Sequence, residues 1–181
     1  MFWRKAFTLL EVNLAIMVMA GGILSVVVFF SLGYRENSQS REDVASAAYA
    51  DAVLSPLVMA LSQQDLTWSR FNSIQSKPSE KGWAEYIDHQ TGRVKSGAES
   101  LAQSAYGEVM GKANGSSKGL PASLPTDAAG GLTAGLVVLH QDGEGIVRLA
   151  FRAAKKESTL MSAPLYYTEV RFQGKQEDKN N

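Results

Sequence analysis

No cysteine occurs among the 181 residues. That excludes disulfides, thiolate zinc sites, iron–sulfur clusters and a cysteine nucleophile. It leaves the compartment open, because an exported chain with an adequate core can do without bridges. Histidine is nearly as scarce. His89 and His140 are the only two, and neither sits in an H-x-x-x-H pattern or at ligand spacing from a carboxylate, so each reads as a surface or strand histidine. No excess of one charge exists either: 18 basic side chains balance 18 acidic ones. Nucleic-acid binding, which needs clustered Lys and Arg to displace phosphate counterions, is therefore not expected.

Signatures of catalysis are missing as well. There is no G-x-S-x-G and no D-x-D-x-D-G loop. The run Gly107-Glu-Val-Met-Gly-Lys112 has one residue too few between its glycines for a phosphate loop, and Ala113 stands where Ser or Thr would bind magnesium. The expectation is a chain that is not an enzyme and carries no cofactor or metal.

One long apolar run is present. From Val12 to Leu32 the sequence VNLAIMVMAGGILSVVVFFSL holds 16 hydrophobic residues in 21 and no charge. As a helix rising about 1.5 Å per residue it spans roughly 31 Å, close to the hydrocarbon thickness of a bilayer. A buried core helix would keep a polar stripe, whereas Asn13, Ser25 and Ser31 are scattered around this one. A cleavable secretory signal would be shorter and followed by an A-x-A pattern, and Gly33-Tyr34-Arg35-Glu36-Asn37 offers none. Arg4 and Lys5 precede the run, while acids and bases mix beyond it, so the positive-inside tendency places the N-terminus in the cytoplasm and the bulk of the chain outside.

At the junction the residues read Arg4-Lys5-Ala6-Phe7-Thr8-Leu9-Leu10-Glu11-Val12. This string, with the apolar run behind it, resembles the N-terminal signal of the type IV pilin and pseudopilin family: a short basic leader, a small residue, F-T-L-x-E and a long helix. The resemblance covers about residues 1–34. It implies a leader of residues 1–6, cleavage by prepilin peptidase between Ala6 and Phe7, and N-methylation of Phe7. It also implies that Glu11 pairs with the N-terminal amine of a neighbouring subunit and so sets register in a filament. Read without the family, Glu11 is a carboxylate at an interface, favoured by the positive end of the helix dipole. Ala6 departs from the family's usual glycine. No proline interrupts the helix between Phe7 and Ser55, and Gly21-Gly22 is the place where it could soften, since each glycine costs about 1 kcal/mol relative to alanine.

The implied partners are copies of this chain, other pilin-like subunits, prepilin peptidase and the membrane. The implied location is the bacterial inner membrane, single-pass, and after assembly a periplasmic or cell-surface filament of a type IV pilus or type II secretion pseudopilus. The alternative is a single-pass anchored binding module that never polymerises.

Beyond the assembly helix of residues 7–34, residues 35–62 read as its amphipathic continuation. Ala50, Val53, Leu54, Leu57, Val58 and Leu61 recur at spacings of three and four, with a break expected at Ser55-Pro56. Residues 63–181 form the head. Trp68, Phe71, Trp83, Tyr86 and Ile87 are its candidate anchors, and Glu85 to Val94 could hold a short strand or turn. Seven glycines with Pro121 and Pro125 predict an irregular Gly-rich loop over 107–135. Leu136–His140 and Ile146–Arg152 flank Gln141-Asp-Gly-Glu-Gly145, a hairpin pattern. After Pro164, Tyr166, Thr168, Val170 and Phe172 alternate against Tyr167, Glu169 and Arg171. The predicted fold is α+β: a long N-terminal helix on an antiparallel sheet of three to four strands.

Overall fold

A computed structural model describes residues 8–113, 119–141 and 145–174. Helix α1 runs over Leu9–Leu61, α2 over Trp68–Asn72 and α3 over Ala98–Ala113. Strands β1 (Thr133–Gln141), β2 (Ile146–Ala154) and β3 (Tyr166–Arg171) form an antiparallel sheet in the order β1-β2-β3. The α+β class expected from periodicity is the one observed. The chain divides into two compact units, residues 1–41 and 42–181.

In the first unit every described residue is exposed, the apolar side chains of residues 12–32 as well as the polar ones of 35–41, because no described residue packs against this part of the helix. The second unit has a core. Tyr49, Ala50, Val53, Leu57, Ala60 and Leu61 of α1 are buried there. They join Leu136 and Val138 of β1, Val147, Leu149 and Phe151 of β2, and Val170 of β3. These strand residues share one sheet face, as the register Leu136↔Phe151, Val138↔Leu149 and Val147↔Val170 requires. Tyr49 meets Phe151 edge-on at 5.2 Å between ring centroids, and Ser46 Oγ lies 2.9 Å from the Tyr166 hydroxyl.

The break expected at Pro56 is not there: α1 continues through it to Leu61. Proline removes the hydrogen bond from its own nitrogen and crowds the carbonyl of Ala52 four residues earlier, a cost that packing has to offset. Buried Val53 and Leu57 on either side hold the helix on the core across that gap.

The Gly-rich loop expected over 107–135 is also corrected. Its first seven residues are the C-terminal half of α3. Ala98, Ala102, Ala105, Val109 and Ala113 recur at three and four and are all buried, and Tyr106 and Met110 are buried beside them, so small side chains with two large ones build the apolar face. Glu157 Oε1 accepts from the Gly97 and Ala98 amides at 3.0 Å each, capping α3 from a distant segment. The stretch after α3 is tied back to it. The Gln103 side chain accepts from the Leu124 amide at 2.9 Å, and the Tyr106 hydroxyl donates to Pro121 O at 3.0 Å. Gly107 and Gly111 have ordinary helical φ, and a Cβ added at either would meet nothing within 4 Å. Gly107→Ala with Gly111→Ala should therefore raise head stability by about 1–2 kcal/mol, read as a higher Tm, through the entropy removed from the unfolded chain. An unchanged or lower Tm would count against this placement of α3.

The second face of the sheet is covered too, which alternation in β2 alone did not suggest. Val137, Ala150 and Ala154 pack with Tyr86, Ala98 and Leu160, the last from a 3-10 helix over Glu157–Ser162. Tyr86 ends another 3-10 helix, Gly82–Tyr86, and the expected turn beyond it is closed by an Ile87↔Val94 bridge. Along the outer edge of β1, the backbone groups of Leu136, Val138 and His140 each find partners. Tyr86 OH donates to Leu136 O at 2.7 Å and accepts from Leu136 N at 3.0 Å. Lys77 exchanges two backbone bonds with Val138, at 2.8 and 2.7 Å, and Ser76 Oγ accepts from His140 N at 3.0 Å. An edge so capped is closed to further strand addition.

Burial lifts the phenols of Tyr49, Tyr86 and Tyr106 from the usual 10 to about 12. The folded head thus keeps protons that the unfolded chain releases near 10. That contribution to stability is complete below pH 10 and is lost as pH rises through 12. Near-UV circular dichroism should collapse between pH 10 and 12 together with the rise of tyrosinate absorbance. Ionisation of all tyrosines near pH 10 with the dichroism intact would disprove the burial.

Candidate functional site

The start of α1 holds the residue types that stood out in the sequence. Thr8 precedes the first helical turn, and Glu11 is the one charged side chain between it and Tyr34. Thr8 N donates to Glu11 Oε2 at 2.9 Å, and Thr8 Oγ1 donates to the same oxygen at 3.0 Å. Glu11 N in turn points at Thr8 Oγ1 at 3.4 Å. This reciprocal arrangement is a capping box, the two side chains satisfying amides that a helix start leaves without partners. The sequence shows Thr8 as part of the F-T-L-x-E string, and its T-x-x-E spacing before an apolar run is also the signal for this cap. Glu11 Oε1 takes no part in the cap.

Beside the carboxylate, Val12, Ala15, Ile16 and Met19 line a shallow apolar groove of about 300 Å³. Apolar exposure continues along the helix: Leu9 is 82% exposed, Phe29 74% and Phe30 75%, among 16 exposed large hydrophobics from Leu9 to Leu32. At about 1.5–3 kcal/mol per fully buried side chain, covering them is worth on the order of 20 kcal/mol or more, which exceeds the whole stability of a typical domain. The helix is long and apolar enough to cross a membrane.

Gly21 and Gly22 lie in the middle of this run with open space around both. Ser25 Oγ donates to Gly21 O at 3.0 Å and to Gly22 O at 2.8 Å. The hydroxyl thus shares the two carbonyls with the helix ladder, an arrangement that weakens and bends helices slightly. The cleavage position between Ala6 and Phe7 lies outside the described residues.

The head offers a polar cleft of about 540 Å³ whose walls include Asn72, Gln75, Glu80, Lys112 and His140. The His140 ring meets Phe71 edge-on at 5.8 Å, a packing role. His89 is exposed on the turn after Ile87, where Asp88 caps the Gln90 amide at 2.9 Å; that bond holds the Asp88 carboxyl below its usual range. Across β2 and β3, Arg148 Nε donates to Glu169 Oε1 at 2.9 Å, and the Tyr167 hydroxyl donates to the same oxygen. These two donors, Tyr167 first, hold Glu169 low, but the exposed pair adds little stability. Among the described residues no three His, Asp or Glu side chains cluster as metal ligands would.

The chain matches no protein-family description, no curated protein and no solved structure.

Proposed function

We propose that the chain is a structural subunit of a type IV pilus-like or pseudopilus filament, stored in the bacterial inner membrane through α1 and polymerised through the same helix. The observation that carries this reading is a charged residue placed where an apolar helix begins. Glu11 is held by Thr8 beside an apolar groove, on a helix whose next 21 residues bear no charge. A carboxylate at that depth carries a penalty that falls toward the interface, and a cationic partner offsets it. The amine of a neighbouring Phe7, freed by cleavage after Ala6, is such a partner. The α+β head behind α1 is compatible with the same role, and the chain acts as a scaffold component and not as an enzyme.

Mass spectrometry of the natural protein, taken from membranes and from sheared filaments, tests the reading. A chain beginning at methylated Phe7 is the expected result. An intact Met1 in membranes, with none of the chain in the filament fraction, would overturn it and leave the anchored binding module, which predicts neither processing nor polymer. Ala6→Arg should abolish the cut, because a bulky cation does not fit a site that accepts a small residue. Unchanged mature mass in that variant would move the cleavage site elsewhere.

A further inference from the structure

We propose that residues 33–43 of α1 form a helix–coil joint, a stretch that unwinds and re-forms while the helix on both sides persists. Three observations on these 11 residues support it. The first is isolation: from Gly33 to Asp43 every residue is exposed except half-buried Glu42. Among the described residues no side chain of the stretch makes a hydrogen bond or an ion pair, and Asp43 contributes only its carbonyl, to Ser46 Oγ at 2.9 Å. A helix that is polar all round and packed on nothing draws its stability from propensity and local pairs alone.

The second observation is that both sources are poor here. Gly33, Asn37, Ser38, Ser40 and Asp43 are weak helix formers. Arg35, Glu36, Arg41, Glu42 and Asp43 carry both signs, yet no opposite charges stand three or four residues apart, the only spacings that meet on a helix surface. A segment of this length does not sustain a helix on its own in water. It is helical because its ends are.

The third observation is that the ends cannot open with it. On the C-terminal side Tyr49, Val53 and Leu57 are fully buried in the core. On the N-terminal side residues 12–32 lie in lipid, where a broken backbone bond finds no water; this limit rests on the membrane reading above. Opening is thereby confined to residues 33–43. Passing from about 1.5 Å to about 3.3 Å per residue, the joint lengthens by up to roughly 20 Å.

Hydrogen exchange followed by mass spectrometry on the full chain in lipid nanodiscs tests this. Amides of residues 35–43 should exchange at least about 100-fold faster than those of 50–60, with residues 12–32 protected. Protection of 35–43 equal to that of 50–60 overturns the joint and leaves the membrane reading standing. Fast exchange across 12–32 as well overturns the joint as a confined element and is the mark of a failed membrane reading. The triple variant Asn37→Ala, Ser38→Ala, Ser40→Ala touches only exposed positions. It should slow exchange in 35–43 by roughly tenfold and leave 50–60 unchanged. No slowing would overturn the propensity argument and the joint with it.

Discussion

Glu11→Ala is expected to leave α1 in the membrane and to cut recovery of the subunit in filaments by about 10–100-fold, the value of one charge-assisted hydrogen bond lost from a dry site. Insertion should survive because alanine is more apolar than the carboxylate it replaces. Two companions separate the functions that Glu11 combines. Glu11→Gln keeps the acceptor that the capping box needs and removes the charge, so it should fail in assembly nearly as badly as alanine. Thr8→Ala removes the cap, worth about 1 kcal/mol, and keeps the charge, so it should assemble at a reduced level. A filament pull-down from cells expressing each variant gives the answer. Wild-type incorporation of Glu11→Gln would mean that the residue serves only its own helix.

The second large effect is in the head. Phe151 is fully buried, meets Tyr49 edge-on and lies at the centre of the face shared by α1, β1 and β2. Phe151→Ala should destabilise the head by about 3–5 kcal/mol, through lost transfer energy and the cavity left behind. That is a large part of the roughly 5–15 kcal/mol typical of a domain, so urea denaturation of the full chain in detergent, followed by near-UV dichroism, should show the midpoint falling sharply. Tyr49→Phe is the contrast. No described group bonds to the Tyr49 hydroxyl, which is buried. Removing a hydroxyl that finds no partner should be neutral or mildly stabilising. A loss for Tyr49→Phe comparable with that of Phe151→Ala would mean that the Tyr49 hydroxyl has a partner in the folded head.

The elements differ in how openly the chain announces them. Alternation in Val147, Leu149 and Phe151 and in Tyr166, Thr168 and Val170 named the core face of β2 and β3 correctly, because a period of two has no other use. The run Leu136-Val-Val-Leu139 carried a second message, burial on both faces of β1, which becomes plain only once Tyr86 and Leu160 arrive from elsewhere in the chain. Helix α3 was hidden by composition. Four of the seven buried residues of its face are alanines, a weak signal by hydrophobicity even with Tyr106 and Met110 among them, and Gly107 and Gly111 argued for a loop. The cap on its N-terminus comes from Glu157, some 60 residues away. At the candidate site, Glu11 was conspicuous as a charge in an apolar setting and Thr8 as part of the F-T-L-x-E string, whereas the cap that joins them is seen only in the structure.

Local chemistry therefore decided the first unit. A run with no charge and no proline has few ways to satisfy its backbone in an apolar medium other than as a helix, and its T-x-x-E start caps that helix within four residues. Tertiary structure decided the second unit. Continuity of α1 through Pro56, the helical state of 107–113 and the capping of the β1 edge by Ser76, Lys77 and Tyr86 each depend on groups far apart in the chain. Propensity at those places pointed the other way or said nothing. Burial and hydrogen bonds to distant residues supplied the difference, and those energies exist only after the core has formed.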